Sequence, residues 1–315
     1  MIRSLRADLM LLAAFCAIVL AIAALTEDGV VLHFLILTLH AALLSVAWNV
    51  LAGFGGQFSF GHAAFFGVGA YAAGVLQLNF GLSAWLVLPL AVIAGAVTGL
   101  VIGGLAFRYG LRGSYFALVT LAFAEVLRIL ANTFDFTGAG VGLQLPLAKG
   151  FASLQMDKPG MLVFILLMLA TGLGVCIFLR HSRFGAWLVA VRDNEDAGRA
   201  LGVDVFRVKL GAAAVSGALT AAAGVFYVQY LNYIDPVLAF GPAISVEALV
   251  GAIVGGIGTV WGPVVGAVLL HSLGETTRNL FGDLPGINLV LYGVILVLVM
   301  MLAPRGVAGL IERRS

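Results

Sequence analysis

The stretch AISVEALVGAIVGGIGTVWGPVVGAVLLHSL, residues 243–273, decides how this chain is built. It is almost entirely apolar, and the segment Gly255-Gly256-Ile257-Gly258, followed by Gly262-Pro263, interrupts it. A helix needs roughly 20 apolar residues to cross a bilayer, and glycine and proline are the residues that most often end a helix. The stretch therefore predicts either one long membrane span or two shorter helices, over 243–257 and 262–273.

The rest of the chain has the same apolar character. Hydrophobic residues make up 62% of the 315 residues and charged residues only 10%, and the mean hydropathy is +1.11. Because a soluble domain carries about 25% charged residues, this composition does not suit a water-exposed surface. The sequence therefore predicts a membrane protein, and a net charge of only +2 argues against a nucleic-acid partner. Further apolar segments predicted as helices are 9–25, 30–52, 59–78, 84–106, 113–133, 160–180, 206–231 and 286–303.

The positions of the basic residues decide between one span and two in the glycine-broken stretch. Basic residues cluster at the N-terminus, at Arg108 and Arg112, throughout 180–209, and from Arg305 onward. Basic loops mark the cytoplasmic side of a membrane, so an even number of helices must separate each cluster from the next. Between the 180–209 cluster and Arg305 the number of helices is even only if the glycine-broken stretch forms two helices and not one. We therefore predict an all-α polytopic membrane protein of about ten transmembrane or half-membrane helices, with both termini cytoplasmic and residues 1–315 in a single domain.

The loop at about 180–209 carries the strongest functional signal, because it is long and highly charged on the predicted cytoplasmic side. Four of its residues, Leu188, Val191, Ala197 and Leu201, can form the apolar stripe of an amphipathic helix. Such a helix can lie on anionic lipid or dock a cytoplasmic partner. We favour docking, because the acidic residues of the loop largely cancel the basic ones.

Within this loop, Asp196-Ala197-Gly198-x-x-x-Gly202 resembles the EAA-x-x-x-G loop of bacterial ATP-binding-cassette importer permeases, with Asp for Glu and Gly for the second Ala. The wider pattern resembles the branched-chain amino acid permease family, in particular its LivM-type subunits. The segments that carry the resemblance follow in order along nearly the whole chain: 49–63 (NVLAGFGGQFSFGHA), 113–121 (GSYFALVTL), 182–202, 255–263 (GGIGTVWGP) and 304–306 (PRG).

This resemblance implies a complex in the bacterial cytoplasmic (inner) membrane. A homologous second permease would complete the translocation path, two cytoplasmic ATPases would drive alternating access, and a periplasmic or extracellular binding protein would deliver the amino acid. The chain itself has no Walker A loop, because its three lysines precede Gly150, Pro159 and Leu210. We expect no catalytic residue, cofactor or metal in it. The residues predicted to form the ATPase-docking surface are Arg183, Gly185, Arg192, Glu195, Asp196, Ala197 and Gly202.

Polar residues inside apolar spans are costly and tend to be functional. Glu125 and Arg128 lie three apart on one predicted helix and are either an ion pair or a gate. Glu247 has no basic residue near it in sequence, and it either ties helices together or lines the path. His62 either joins two helices by a hydrogen bond or contacts substrate. The residues predicted as candidates for the path or gate are Asn49, Gln57, Ser59, His62, Glu125, Arg128 and Glu247.

The apolar segments also contain glycines at helical spacing. Gly95, Gly99 and Gly103 form a doubled Gly-x-x-x-Gly face, and Gly251/Gly255 and Gly262/Gly266 repeat the spacing. Small residues at this spacing predict close packing of helices or a contact between subunits.

Two alternative functions stay open at this point. A permease of the same ATP-driven architecture could carry urea or short amides, since a mostly apolar path tolerates many solutes. An autonomous secondary transporter would need its own coupling-ion site, for which Glu125, Glu247 and Asp235 are the candidates.

Overall fold

The computed structural model describes residues 4–26, 28–148 and 150–281, together with 290, 293–295, 297, 301 and 306–307. This part of the chain is almost wholly helical, and its strands β1 (Leu143–Gln144) and β2 (Tyr233–Ile234) form one short antiparallel pair. A π-helical turn, Val50–Phe54, extends the second helix. The α-helices, in chain order, are α1 (Leu5–Leu25), α2 (Gly29–Asn49), α3 (His62–Phe80), α4 (Ala84–Arg108), α5 (Gly113–Thr133), α6 (Lys158–His181), α7 (Arg183–Asp193), α8 (Glu195–Ala200), α9 (Val205–Leu231), α10 (Pro236–Phe240), α11 (Pro242–Gly255) and α12 (Gly262–Phe281).

Eight helical segments in the described ranges are long and apolar enough to cross a membrane. They are α1, α2 with its π-helical extension, α3, α4, α5, α6, α9, and the combined segment of α10 and α11. The prediction of an all-α polytopic membrane protein is therefore confirmed. Most of the predicted helix at 286–303 falls outside the described residues, so the total number of spans and the side of each terminus stay predictions.

Three of the four basic clusters lie at the same end of the bundle. Asp8 near the start of α1 accepts a hydrogen bond from His181 Nε2 at 2.9 Å and lies 3.5 Å from Arg180 Nη1, at the end of α6. Arg112, which directly precedes α5, pairs with Glu195 of α8 at 3.0 Å. This arrangement agrees with the topology predicted from the basic residues.

The glycine-broken stretch forms two helices, as its flanking charges predict. α11 and α12 pack antiparallel with their glycines face to face, and a Cβ added to Gly255 would lie only 2.8 Å from Gly266 N. This contact is the close approach that the glycine spacing predicts. The prediction that the second helix is short was wrong. It continues to Phe281 because backbone hydrogen bonds extend a helix beyond its apolar residues.

The glycine face of α4 packs within the chain. A Cβ on Gly95 would lie 2.5 Å from Gly217 O of α9, and a Cβ on Gly99 would lie 2.8 Å from the carbonyl carbon of Ala213. The sequence predicted that this face serves either close helix packing or a contact between subunits, and in the structure it serves helix packing. It brings the backbones of α4 and α9 into direct contact.

The helices differ greatly in how much of their surface the bundle covers. Fourteen of the 21 residues of α2 are buried, because α6, α9, α11 and α12 all pack against it. Only five of the 21 residues of α5 are buried, and this helix contacts mainly α3, α10 and α4. In the described part of the chain, α2 is thus a central helix and α5 a peripheral one.

Candidate functional site

The loop predicted to dock an ATPase folds as two short helices, α7 and α8. Ser182 Oγ accepts the N–H of Gly185 at 3.1 Å and caps α7. Asn194 Oδ1 accepts the N–H groups of Asp196 and Ala197, each at 3.0 Å, and caps α8. Because asparagine and serine at these positions satisfy backbone donors that a helix start leaves free, the chain ends one helix and begins the next at Asn194.

This break at Asn194 divides the apolar stripe predicted for the loop. Leu188 and Val191 of α7 are fully buried, whereas Ala197 and Leu201 are exposed, Leu201 by 80%. The prediction that these four residues form one apolar stripe was therefore wrong, because the chain breaks at Asn194 between α7 and α8. α7 anchors the loop, and Leu201 projects from its surface.

The seven residues predicted for docking divide into an exposed group and an inward group. The exposed residues are Arg183, Asp196, Ala197 and Gly202, and Arg192 is exposed as well although its guanidinium is bonded within the chain. Gly185 is buried so closely against α6 that an added Cβ would overlap Leu179 O. Arg192 and Glu195 both bond to other parts of this chain.

Arg192 connects α7 to the π-helical end of α2. Its Nη1 donates a hydrogen bond to Gly53 O at 2.9 Å, and its side chain packs on Gly56. Gly56 has a φ of 68°, and a Cβ there would lie 2.6 Å from Arg192 Cγ. Between α7, Phe54 and residues 258–260 is a groove of about 480 Å³. The loop is thus attached to a break in the central helix.

Asn49 joins the two glycine-rich breaks of the chain. Its Nδ2 donates to Thr259 O, and its Oδ1 accepts the N–H of Gly258, both at 2.8 Å. Gly53 lies against the same turn, where a Cβ would be 2.7 Å from Gly258 N. Gln57, also buried, donates from Nε2 to Gly55 O at 3.2 Å. Asn49 therefore makes the contacts of a buried residue that holds two turns together.

His62 lies in a fully buried hydrogen-bonded chain that links α3 to α9. Ser216 Oγ donates to Ala47 O at 2.7 Å, so it accepts from His62 Nε2 at 2.8 Å. Since Nε2 carries the proton of the neutral ring, Nδ1 accepts, and Ser59 Oγ, which also accepts the N–H of Gly61 at 3.1 Å, donates to His62 Nδ1 at 3.3 Å. This network assigns the neutral Nε2–H tautomer to His62. Every polar atom of the imidazole is used inside the chain.

Glu125 and Arg128 form the ion pair that their spacing predicts, but on the outside of the bundle. Arg128 Nε lies 2.9 Å from Glu125 Oε2, and Arg128 Nη2 lies 2.5 Å from Glu125 Oε1. The side chains are 50% (Glu125) and 30% (Arg128) exposed. Glu125 lies 12 residues after Gly113, the first residue of α5, which is about 18 Å along the helix axis. The pair is therefore near the middle of a membrane span and faces away from this chain.

The remaining acidic candidates also have partners. Glu247 Oε1 accepts from His271 Nε2 of α12 at 3.0 Å, a residue 24 positions later in the chain. Asp235 Oδ1 accepts the N–H groups of Val237 at 2.8 Å and Leu238 at 2.9 Å, and so caps α10. An independent coupling-ion site at either carboxylate would first have to displace these contacts.

The structure adds partners of the candidate residues that the sequence did not single out. Lys209 and Arg112 both pair with Glu195, Ser216 binds His62, and His271 binds Glu247. Each of these partners lies on a different helix or loop from the residue it binds. The charge of Lys209 within an apolar helix was the one signal in the sequence that could have pointed to this site.

A bundle of apolar spans with two short helices at one end defines a polytopic membrane protein. Residues 30–300 match the family described as branched-chain amino acid transport system / permease component, and the chain belongs to this family. It is a multi-pass membrane permease.

Individual relatives agree with this assignment. The chain is 30% identical over 295 residues to the high-affinity branched-chain amino acid transport permease LivM of Escherichia coli, covering 86% of this chain and 68% of the relative. It is 25% identical to a probable branched-chain amino acid permease, LivH, of Methanocaldococcus jannaschii, covering 77% and 80%. It is 24% identical to the permease BraD of Pseudomonas aeruginosa, covering 85% and 91%. No solved structure matches the chain significantly.

Proposed function

We propose that this chain is one of two permease subunits that together enclose a path for branched-chain amino acids across the bacterial cytoplasmic membrane, with ATP hydrolysed by separate cytoplasmic subunits. The cargo is the one for which its relatives are named. A substrate-binding protein on the outer side would supply it. The observation that carries the two-subunit part of the proposal is the Glu125–Arg128 ion pair on α5.

An ion pair at the centre of a span is unfavourable against lipid. Charged side chains in membrane helices almost always face a protein interior or a water-filled cavity. Glu125 and Arg128 face neither within this chain, and their neighbours on the same side of α5, Leu118 and Ile129, are also exposed. A second permease subunit packed on α5, with the path between them, would remove the pair from lipid.

The exposed part of the 180–209 loop supports a soluble partner at the other functional surface. Arg183, Asp196 and Arg199 present charges of both signs, and Trp187 and Leu201 add exposed apolar side chains. An apolar centre with a charged rim is the composition of a protein interface. We assign this surface to the ATPase, since the chain has no Walker A loop of its own.

Selectivity among cargoes would rest mainly outside this chain. The path candidates Asn49, Gln57, Ser59 and His62 are buried and bonded to other residues of the chain. Their side chains would have to leave these partners to contact a solute. The exposed face of α5, including Glu125 and Arg128, is therefore the better candidate for the lining of the path.

The test is reconstitution of the chain with its genomic neighbours. Wild-type protein is purified with the encoded ATPases and second permease, placed in liposomes, and assayed for uptake of leucine, isoleucine, valine and urea with binding protein and ATP. We expect ATP-dependent uptake of the three amino acids and none of urea. Uptake by the single chain without ATP would contradict the proposal, and uptake of urea alone would contradict the cargo.

A matched pair of variants tests the docking surface. Leu201→Asp and Val141→Asp both place a carboxylate at an apolar residue about equally exposed, 80% and 81%. Leu201 lies beside α8, whereas Val141 lies in the long α5–α6 connection. We expect Leu201→Asp to lose the ATPases on co-purification and Val141→Asp to retain them. Equal retention would remove the 180–209 loop as the docking surface.

A further inference from the structure

Glu195 is the centre of a group of charges that joins three parts of the chain. Its Oε2 lies 3.0 Å from Arg112 Nη2, just before α5, and 3.9 Å from Arg199 Nη2 in α8 itself. Its Oε1 is paired with Lys209 Nζ in α9. We call these four residues the Glu195 hub. The side chain of Glu195 is only 13% exposed, so its charge is directed into the chain and not toward a cytoplasmic partner.

The two principal arms of the hub differ in burial. The Lys209 side chain is 4% exposed, and its ammonium lies 5.4 Å from the centre of the Phe107 ring. The Arg112 side chain is 50% exposed. A buried charge that loses its partner is strongly destabilising, whereas an exposed pair contributes little to stability. The Lys209 arm therefore fixes α8 to the bundle, and the Arg112 arm adds almost nothing to the stability of the fold.

The Arg112 arm ends on a helix that the bundle holds weakly, because only five residues of α5 are buried. Arg112 directly precedes α5, and a glycine with positive φ lies on either side of it, Gly110 (70°) in the turn before α5 and Gly113 (53°) at the first position of α5, both in open space. A displacement of α8 would therefore act on α5 through the Arg112 side chain, with little packing to oppose it.

We infer that Glu195 and Arg112 are positioning residues that transmit movement of the 180–209 loop to α5, and so to the face that carries Glu125 and Arg128. This inference rests on the proposed function, because it assumes an ATPase acting on the loop and a path along α5. It assigns Glu195 to transmission inside the permease, in place of the docking role predicted from its charge. The Arg112–Glu195 ion pair transmits displacement between α8 and the start of α5, which share no other charge contact among the described residues.

Arg112→Ala separates transmission from folding and docking. Arg108→Ala is the matched control, because Arg108 ends α4 in the same connection, is exposed, and forms no ion pair with the described residues. In the reconstituted complex we measure ATPase co-purification, ATP hydrolysis and amino acid taken up per ATP. We expect Arg112→Ala to keep the first two and to reduce uptake per ATP by about tenfold, within the usual range for coupling between sites. Arg112→Lys, which keeps the charge, should recover most of the uptake.

The outcomes distinguish the inference from the proposed function. If wild-type complex shows no ATP-driven uptake, the proposed function fails. If wild type transports and Arg112→Ala takes up as much per ATP as Arg108→Ala, the proposed function stands and the inference is wrong. Loss of the ATPase from Arg112→Ala would mean that Arg112 docks the partner, and it would equally overturn the inference.

A distance measurement provides a second test that does not depend on uptake. Spin labels at Tyr115→Cys in α5 and Ala200→Cys in α8 are introduced after Cys16→Ala and Cys176→Ala, in protein that still transports. If the Glu195 hub transmits movement, α5 moves together with α8. The distance between the two labels is then the same in the nucleotide-free and vanadate-trapped complexes. Adding Arg112→Ala should make the distance differ between the two states. A distance that changes equally with and without Arg112 would contradict the inference.

Discussion

The chain contains two sets of polar side chains within its membrane spans, and they are arranged in opposite ways. The inner polar cluster, Asn49, Ser59, His62 and Ser216, is buried, neutral and bonded to backbone or to itself. The outer pair, Glu125 and Arg128, is charged and exposed on α5. Both sets looked alike in sequence, as polar residues in apolar segments. We therefore expect the inner cluster to maintain the fold and the outer pair to be covered by a protein beyond this chain.

The two arrangements differ because a polar group without a hydrogen-bond partner away from water has a large free-energy cost. Neutral groups can be satisfied by one or two hydrogen bonds in a packed interior, and the inner polar cluster achieves this with backbone at helix breaks. A charged pair keeps a large part of its solvation requirement even when its members bind each other. The two sets should therefore respond differently to substitution, the inner cluster through stability and the outer pair through assembly and transport.

The largest expected effect is at Asn49. Asn49→Leu leaves the partly buried Gly258 N–H and Thr259 O without their side-chain partner, which costs up to about 1–3 kcal/mol for each group. Thermal unfolding of the purified subunit in detergent should shift to clearly lower temperature. The control is Asn132→Leu on α5, an exposed asparagine without a hydrogen bond to the described residues, where a change within about 0.5 kcal/mol is expected. Similar shifts for both variants would remove the distinction between the two sets.

A smaller effect of the same kind is expected at Ser216. Ser216→Ala removes the acceptor of His62 Nε2–H, leaving one buried donor unpaired at a cost of roughly 1–3 kcal/mol. The unfolding temperature should fall by less than in Asn49→Leu. Ser114→Ala, at an exposed position of α5, serves as the control. If Ser216→Ala keeps the wild-type unfolding temperature but loses transport, His62 and Ser216 belong to the path and not to the fold.

The smallest effect on stability is expected at the outer pair. Replacing both Glu125 and Arg128 by Leu should leave the unfolding temperature of the isolated subunit nearly unchanged, because both side chains are on its surface. Co-purification of the second permease, or uptake by the complex, should fall. Exchanging the residues, Glu125→Arg with Arg128→Glu, tests whether the order of the charges matters. A marked loss of stability in the isolated subunit would show that the pair serves the fold after all.

Hydropathy and glycine spacing predicted much of the architecture. They located the spans, and the charge pattern required two helices in the stretch that forms α11 and α12. These properties are local, since a helix and its end depend on consecutive residues. The amphipathic character of the 180–209 loop was recognised for the same reason.

The partners of the polar residues were beyond reach of the sequence. Glu195 binds Lys209, 14 positions later, and Asn49 binds Thr259, 210 positions later. Such pairings depend on how each helix is rotated and where its neighbours lie. The exposure of Leu201 was missed for a related reason. The turn at Asn194 separates α8, the helix that precedes Leu201, from α7.

At Gly53 and Gly258, backbone meets backbone with no side chain between. Elsewhere in a protein, side chains change rotamer and absorb small displacements of neighbouring helices. Here nothing is available to deform, and Asn49 and Arg192 fasten the same point. We therefore expect α2, α11 and α12 to keep their positions relative to one another during transport, as one rigid unit, while α5 moves against them.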